Sequence, residues 1–259
     1  MKLGFIGMGN MATALARGFV ASGKVQASEL YAFDPATEKL SQMAAELGFV
    51  PVGSERELAA AADMIIMACK PYHVQGALAA MGEALSGKAL LSIALGWDHA
   101  AYRAVLTDDV RVQFVMPNTP AMVGEGMFLF EQTTSFKAEE LAFATELFAA
   151  IGVVETLPSS QMGIGGALSG CGPAFVDLLI EAFADAGVFY GLPRDKAYKL
   201  VSQTVKGSAK LQQETGLHPG VLKDMVCSPA GSTIKGVAAL EHEGLRSACL
   251  CAIEAIMEG

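Results

Sequence analysis

The sequence predicts an α/β protein in which a doubly wound parallel sheet is followed by an all-helical domain. Three observations support this fold class. Short apolar runs alternate with helical patterns in the first half, a glycine-rich turn follows the first run, and no strand-like run is found after Gly163. Hydrophobic residues make up 52% of the 259 residues and charged residues only 17%, which favours a well-packed globular chain over a disordered one.

Short apolar runs predict the strands. They cover residues 2–6, 30–33, 64–68, 89–93 and 111–116, with a sixth candidate at 127–131. Helical patterns follow the first two runs, over residues 10 to about 22 and over 37–47. Because continuous apolar strands that alternate with helices are buried on both faces, we expect a parallel sheet with helices on either side.

The second half of the chain is predicted to be a series of helices. Apolar residues recur at helical spacing from Phe175 to Ala186, between Gly172-Pro173 and Gly191. Further helices are predicted over 194–214, after Pro219, from Ser232 and after Gly244. These helices carry more apolar residues than a small lone bundle can bury, so we expect a homodimer formed through the helical domain.

A glycine motif connects the first predicted strand to the first helix. Gly7-Met8-Gly9-Asn10-Met11-Ala12 matches G-x-G-x-x-G/A, the fingerprint of a Rossmann-type sheet that binds NADPH or NADH. Gly7 allows the tight turn, Gly9 lets the backbone approach a pyrophosphate, and Ala12 keeps helix and strand close. The helix N-terminus then offers N–H groups to the phosphates. A tight turn without a ligand is the alternative.

Asp34 lies at the end of the second predicted strand, 22 residues beyond Ala12. An acidic side chain there can accept hydrogen bonds from the adenosine ribose and would repel the extra phosphate of NADPH. A turn-forming aspartate before Pro35 explains the residue equally well. Lys39 or Arg56 could also compensate for the charge, so the sequence leaves NADH against NADPH open.

Charge and cysteine usage exclude several classes of partner. The net charge is −9 with no basic run, so no nucleic-acid partner is expected. Five cysteines without CxxC spacing indicate neither a disulfide framework nor a zinc site, and no metal site is predicted. Met1-Lys2 leads directly into the first strand and no apolar run reaches the ~18 residues of a membrane span. We therefore expect a cytoplasmic protein with no membrane partner.

Several motifs together resemble the pyrroline-5-carboxylate reductase family. In family order they are Gly4–Ala12, Lys70-Pro71, Ser92–Gly96, Val115–Pro120, Ala167–Phe175, Asp185–Val188, and His218-Pro219 leading to Leu222–Ile234. The resemblance implies reduction of 1-pyrroline-5-carboxylate to L-proline with NADPH or NADH, the last step of proline biosynthesis. It also implies a dinucleotide-binding Rossmann domain at 1–158 and a helical substrate-binding and dimerisation domain at 159–259. Dimers of this family often form larger rings, such as a decamer.

The expected catalytic residues are Ser228, Ser232 and Thr233, which lie at a chain break followed by a helix start. Backbone N–H groups at a helix N-terminus can hold a substrate carboxylate. By resemblance, the Thr233 hydroxyl meets the ring nitrogen. From the residues alone, N-capping by Ser232 is the simpler explanation.

Further residues that follow the predicted strands are expected at the cofactor, because ligands bind at the carboxyl edge of such a sheet. They are Cys69, Lys70, Pro71, Ala94 and Asn118, with Met116 and Pro117 beside the nicotinamide. A solvated loop lysine at 70 and a Pro-fixed turn at 116–118 are the alternatives.

The sequence departs from the family pattern at four positions. Cys171 replaces a Ser, Ala230 a Gly, Leu95 an Ala and Glu55 a cofactor-contacting Asn. Ala230 would strain the backbone if a positive φ is needed there. A related imine or 2-keto-acid reductase, or a dinucleotide-binding oligomer without catalysis, is therefore kept as an alternative.

Overall fold

The computed structural model describes residues 1–258 and contains two compact units, Met1–Cys171 and Gly172–Gly259. The first unit is an eight-stranded sheet with helices and the second consists of helices, which confirms the predicted fold class. The helix Ser159–Ser169 contacts the last two strands and so belongs to the first unit. The functional boundary between residues 158 and 159 stays a prediction.

The strands have the order β3-β2-β1-β4-β5-β6-β7-β8 in the sheet. Their bounds are β1 (Leu3–Ile6), β2 (Leu30–Phe33), β3 (Val50–Pro51), β4 (Met64–Met67), β5 (Ala89–Ser92), β6 (Arg111–Met116), β7 (Gly126–Glu131) and β8 (Gly152–Leu157). All six predicted runs are strands. The sequence reading missed β3, which has two exposed residues, and β8, whose Glu155 and Thr156 interrupt the apolar pattern.

One strand pair departs from the predicted parallel arrangement. Strand β7 pairs antiparallel with β6, with Val115 opposite Phe130, whereas every other pair in the sheet is parallel. Residues 117–125 join the two strands and contain only the 3-10 turn Thr119–Val123. A crossover between parallel strands needs a dozen or more residues. This connection is too short to carry the chain back to the opposite end of β6, so β7 runs antiparallel to it.

Seven helices accompany the sheet. They are α1 (Asn10–Ala21), α2 (Thr37–Leu47), α3 (Glu55–Ala61), α4 (Val74–Met81), α5 (His99–Arg103), α6 (Ala138–Ala149) and α7 (Ser159–Ser169). Successive side chains of a strand point to opposite faces, and in β4 Met64 and Ile66 join one hydrophobic cluster while Ile65 and Met67 join another. The sheet is therefore buried on both faces, as its continuous apolar strands predicted.

The described part of the second unit, residues 172–258, contains five helices. They are α8 (Gly172–Phe189), α9 (Arg194–Thr215), α10 (Pro219–Met225), α11 (Ser232–His242) and α12 (Leu245–Met257). Helix α8 packs against α9, and Gly191 at φ +94° turns the chain between them. Within residues 172–258 only Ala184 and Ala197 are buried. The described part of this unit therefore has no hydrophobic core of its own in a single chain.

Helices α7 and α8 form a helical segment, Ser159–Phe189, that is long and apolar enough to cross a membrane by length and composition alone. Only 17% of its most apolar window is buried within the chain. The sequence expectation concerned uninterrupted apolar runs of ~18 residues, whereas this segment passes on mean hydropathy. The absence of a membrane partner stays a prediction. A helix that packs against another protein surface has the same composition, so the finding identifies an apolar surface but not what covers it.

Candidate functional site

The predicted cofactor residues follow strands that end at one edge of the sheet. In the sheet β1 lies between β2 and β4, so β2 and β3 are added on one side of β1 and the later strands on its other side. In open α/β sheets, ligands bind at the carboxyl edge beside this switch point. Gly7 and Asp34 directly follow β1 and β2, and Lys70 and Ala94 lie two or three residues beyond the ends of β4 and β5. The parallel register places the ends of these strands side by side.

Gly7 forms the tight turn at the end of β1. Its φ is +88°, and its N–H donates to the Phe33 carbonyl at 2.8 Å. A Cβ atom on Gly7 would lie 2.9 Å from the backbone of Cys69. Glycine is therefore needed both for its conformation and for its close contact with the chain leaving β4.

Cys69 contributes to this site through its backbone. Burial, with a smaller contribution from the nearby charge of Glu55, raises the pKa of its thiol to about 11. A thiol with so high a pKa is protonated at neutral pH and is a poor nucleophile. The structure thus places Cys69 beside the glycine turn as a packing residue.

Helix α1 begins immediately after Gly9 with no side chain capping it. The first helical bond runs from the Thr13 N–H to the Gly9 carbonyl at 2.9 Å. A Cβ built on Gly9 meets nothing within 4 Å, so open space lies over this residue. An uncapped helix N-terminus beside open space fits the phosphates of a dinucleotide.

Asp34 is held against the glycine turn by two hydrogen bonds. Its Oδ2 accepts the Met8 N–H at 2.8 Å, and its Oδ1 accepts the Ala36 N–H at 2.9 Å. The second bond forms the predicted aspartate turn before α2. Each carboxylate oxygen can accept another hydrogen bond, so the same side chain still has acceptors for a ribose. The Met8 side chain is buried and packs in the core.

Three residues that the sequence reading did not select brace the ends of β4 and β5. The Trp97 Nε1–H donates to the Pro71 carbonyl at 3.1 Å. Ser92 Oγ accepts the Ala94 N–H at 3.2 Å and the Tyr102 hydroxyl at 3.0 Å. The bond from Trp97 to Pro71 joins residues 26 positions apart, so no local sequence pattern predicts it. Lys70 precedes Pro71 and is exposed.

The Asn118 side chain is used inside the protein. It is buried, its Nδ2 donates to the Ser169 carbonyl at 3.0 Å, and its Oδ1 accepts the Met127 N–H at 2.8 Å. The amide therefore clamps β7 and the end of α7 to the loop after β6. A cofactor contact from Asn118 stays a prediction. Because the side-chain amide is already bonded within the protein, such a contact would come from its backbone.

The predicted substrate residues surround the start of α11. This helix begins at Ser232, its N-cap is Gly231, and no side chain caps it. The alternative in which Ser232 serves as the N-cap is therefore wrong. Ser228, Ser232 and Thr233 are all exposed in the single chain. Their hydroxyl groups and the uncapped N–H groups can receive a carboxylate.

The turn before α11 is tightly built. The Gly231 N–H donates to the Ser228 carbonyl at 3.0 Å, and a Cβ on Gly231 would lie 2.4 Å from Ser228 Oγ. Ala230 has φ +58° and is the one non-glycine residue at positive φ among residues 1–258. The strain anticipated for an alanine at this position is thus present.

No group of three or more His, Cys, Asp and Glu side chains in residues 1–258 is arranged to hold a metal ion. Asp185, one of three acidic residues spaced along α8, forms an ion pair with Arg194. Leu95 is 68% exposed at the end of β5, where the family carries the smaller alanine.

Comparisons with known proteins agree on one family. Residues 159–259 match the family described as pyrroline-5-carboxylate reductase dimerisation, and residues 2–96 match the family described as NADP oxidoreductase coenzyme F420-dependent. The chain is 40% identical to pyrroline-5-carboxylate reductase of Treponema pallidum, over 99% of each chain. It is 38% identical to the Escherichia coli enzyme of the same name, over 99% of this chain and 96% of that one.

A solved structure extends the similarity to the fold. Pyrroline carboxylate reductase of Plasmodium falciparum, solved with NADP bound, superposes with a TM-score of 0.89 at 32% identity. The match covers 100% of this chain and 96% of that one. The likeness therefore includes both compact units.

Proposed function

We propose that this chain, which belongs to the pyrroline-5-carboxylate reductase family, reduces 1-pyrroline-5-carboxylate to L-proline with NADPH or NADH. This reaction is the last step of proline biosynthesis. One observation carries the proposal beyond family membership. The same chain has an uncapped helix N-terminus at the glycine turn and a second one at Ser232-Thr233, so it offers one site for phosphates and one for a carboxylate.

The first unit provides the residues for the cofactor. The N-terminus of α1 would hold the pyrophosphate over Gly9, Asp34 would meet the adenosine ribose, and Lys70 would place a cation near phosphate or ribose. The fold fits this assignment because a side chain at Gly9 would occupy the open space while Gly7 fixes the turn. When bound, the reduced nicotinamide supplies the hydride.

The turn at residues 228–233 provides the residues for the substrate. The N–H groups at the start of α11 and the hydroxyls of Ser228 and Ser232 would bind the carboxylate. The Thr233 hydroxyl would accept a hydrogen bond from the protonated ring nitrogen and so orient the ring. Because the iminium can bind already protonated, no histidine is required as an acid.

The helical unit is proposed to form a homodimer, and the dimers a larger ring such as a decamer. The match of residues 159–259 to a dimerisation family supports the dimer, and so does the burial of only two alanines between residues 172 and 258. A second copy, and not a membrane, is then proposed to cover the apolar segment Ser159–Phe189. An acidic chain of this family is proposed to act in the cytoplasm and to bind no nucleic acid.

The proposed domain division follows from the same observations. Residues 1–158 form the dinucleotide-binding domain, and residues 159–259 form the domain for substrate and dimerisation. The two family matches lie on either side of this boundary and support it.

The first test measures oxidation of NADH and of NADPH, by the loss of their near-ultraviolet absorbance, when 1-pyrroline-5-carboxylate is added to the purified protein. We expect oxidation that depends on the imine and produces proline. Cofactor binding without turnover would instead favour a related imine or 2-keto-acid reductase, or an oligomer without catalysis.

The role of Thr233 is tested with Thr233→Ala. We expect turnover to fall by about tenfold to a hundredfold, the size expected for one lost hydrogen bond to a charged group, while cofactor affinity stays unchanged. Thr204→Ala is the matched control, because the Thr204 hydroxyl is exposed on α9 and donates only to the Leu200 carbonyl. Equal turnover in the two variants would contradict the role of Thr233.

A further inference from the structure

We infer that the adenosine end of this cofactor site selects NADH over NADPH, with Asp34 as the main determinant and Glu55 as a second one. This inference rests on the proposed function, since it concerns the cofactor of that reaction. It goes further because a relative in this family has been solved with NADP bound.

The Asp34 carboxylate is fixed in position. Its two oxygens accept N–H groups from the glycine turn at Met8 and from Ala36, at 2.8 and 2.9 Å. Rotation of the side chain would break both bonds and leave two backbone donors without partners. A negative charge therefore stays at the end of β2, where the adenosine ribose of a dinucleotide lies in this fold.

A fixed carboxylate discriminates between the two cofactors by charge. It can accept hydrogen bonds from the two hydroxyls of an unmodified adenosine ribose. The 2′-phosphate of NADPH would replace one of these donors with an anion at close range. Repulsion between like charges near a protein surface is large enough to weaken binding at least tenfold, even with salt screening.

The backbone N–H groups near Asp34 and before α3 that could bind a phosphate already donate to groups of the protein. The Ala36 N–H is bound by Asp34, the Gly53 N–H donates to Glu57 Oε2 at 2.8 Å, and the Glu57 N–H donates to Ser54 Oγ at 3.2 Å. Ser54 thus caps α3, in contrast to the uncapped start of α1. The N–H groups of the loop that leads into α3 are therefore bound by the Glu57 carboxylate and the Ser54 hydroxyl, and not by an external anion.

Glu55 adds negative charge to the same edge. It is half-buried at the first position of α3, and it acts electrostatically on Cys69, whose backbone packs against Gly7. Lys39 and Arg56 are the nearest cations in sequence, and both are exposed. In the part of the chain that the structure describes, neither forms an ion pair with Asp34 or Glu55. Among the described residues, neither Asp34 nor Glu55 forms an ion pair with any cation, Lys70 at the end of β4 included.

Equilibrium binding tests this selectivity without relying on activity. Isothermal titration calorimetry of the full chain would give the Kd of NADH and of NADPH. For the natural sequence we expect NADPH to bind at least tenfold more weakly. In Asp34→Ser the ratio of the two Kd values should fall by tenfold or more, and in Glu55→Gln it should fall by a smaller factor.

Two further variants make the result decisive. Asp63→Ser is the matched control, because the Asp63 carboxylate also accepts a backbone N–H, from Lys2 at 2.8 Å, but lies at the start of β4. Its Kd ratio should stay unchanged. Asp34→Asn removes the charge at nearly constant size and gives the same test if the serine variant has a lower melting temperature.

The outcomes separate the inference from the proposed function. Equal Kd values for the two cofactors in the natural sequence would overturn the selectivity while leaving the reductase intact. A Kd ratio that neither Asp34 variant changes would overturn the role of Asp34. Failure of both nucleotides to bind would overturn the proposed function, and the inference with it.

Discussion

The two units of this chain bury their apolar residues to very different extents. In Met1–Cys171, two hydrophobic clusters cover the two faces of the sheet. In the described part of the second unit, only two alanines are buried, while Leu178 and Phe189 are 64% and 83% exposed. The first unit can therefore be stabilised by its own core. The stability of the second depends on contacts with another surface, and so on protein concentration.

The largest effect should come from charging the apolar face of α8. Leu179 and Phe183 are one helical turn apart and are 36% and 44% exposed. In the double variant Leu179→Glu, Phe183→Glu we expect complete loss of the oligomer, measured as molar mass by light scattering. Helicity should fall as well, whereas NADH should still bind, because the cofactor residues lie in the unit with its own core.

The control for this prediction places a single glutamate on an exposed apolar position of the first unit. Val153, on β8, is 57% exposed, so Val153→Glu should leave the molar mass unchanged. An oligomer that persists in the α8 double variant would show that this face is not the one that is covered.

A second prediction separates folding from binding within the first unit, using two glycines of one turn. Gly7→Ala combines a positive φ with a 2.9 Å approach to Cys69, so we expect a loss of about 2–5 kcal/mol in the free energy of unfolding together with loss of NADH binding. Gly9→Ala meets no neighbouring atom and has an ordinary φ of −73°. It should therefore keep the melting temperature and weaken NADH binding by roughly tenfold or more.

The pair of variants is its own control. Equal affinity of Gly9→Ala and the natural sequence for NADH would mean that the open space over Gly9 is not the path of the pyrophosphate. Loss of stability in Gly9→Ala would mean that the two glycines do not differ as the structure shows.

A third prediction concerns the bond from Trp97 to Pro71. Trp97→Phe keeps an aromatic ring against Tyr102, 5.0 Å away between centroids, but removes the N–H donor. Loss of one such bond is worth about 0.5–1.5 kcal/mol, so the Kd of NADH should rise roughly twofold to tenfold with kcat nearly unchanged. Tyr31→Phe is the control. It also removes a polar group from an aromatic side chain, but at a ring that contacts the Lys2 ammonium. An unchanged Kd would show that the bond from Trp97 to Pro71 does not position the residues that bind the cofactor.

Trp97 also offers a direct optical readout, since it is the single tryptophan of the chain. Its indole lies one hydrogen bond from the turn at Pro71. Binding of NADH should therefore quench its fluorescence in the natural sequence. Fluorescence that NADH leaves unchanged would place the cofactor away from this turn.

Features set by local sequence were predictable, and features set by tertiary contacts were not. Two helices were predicted from the Gly and Pro residues at their ends, one beginning at Gly172-Pro173 and one at Arg194. The structure has them at Gly172–Phe189 and Arg194–Thr215. The braces at Trp97 and Asn118 join residues 26 and 51 positions apart, so they depend on a strand order that no local pattern contains.

The errors have equally physical causes. Strand β8 pairs at the sheet edge and alternates between half-buried and exposed residues, so it lacks the continuous apolar run of the inner strands. Ser232 was considered as a cap because Ser favours that position, but the helix begins one residue earlier than that reading requires. A difference of one residue decides whether a hydroxyl satisfies its own helix or is available to a ligand.

The smallest predicted effect tests strain in the helical unit. An alanine at φ +58° costs about 1–2 kcal/mol relative to a relaxed backbone, and glycine removes this cost while adding about 0.4–1 kcal/mol of unfolded-state entropy. Ala230→Gly should therefore stabilise the protein by about 1 kcal/mol or less, measured as the urea midpoint at fixed protein concentration. The matched change Gly231→Ala should instead raise the substrate KM, because its Cβ would displace Ser228 Oγ. If Ala230→Gly is instead destabilised, the entropy that glycine adds to the unfolded chain outweighs the strain that it removes from the folded turn. The helical unit would then be limited by chain entropy as well as by its missing core.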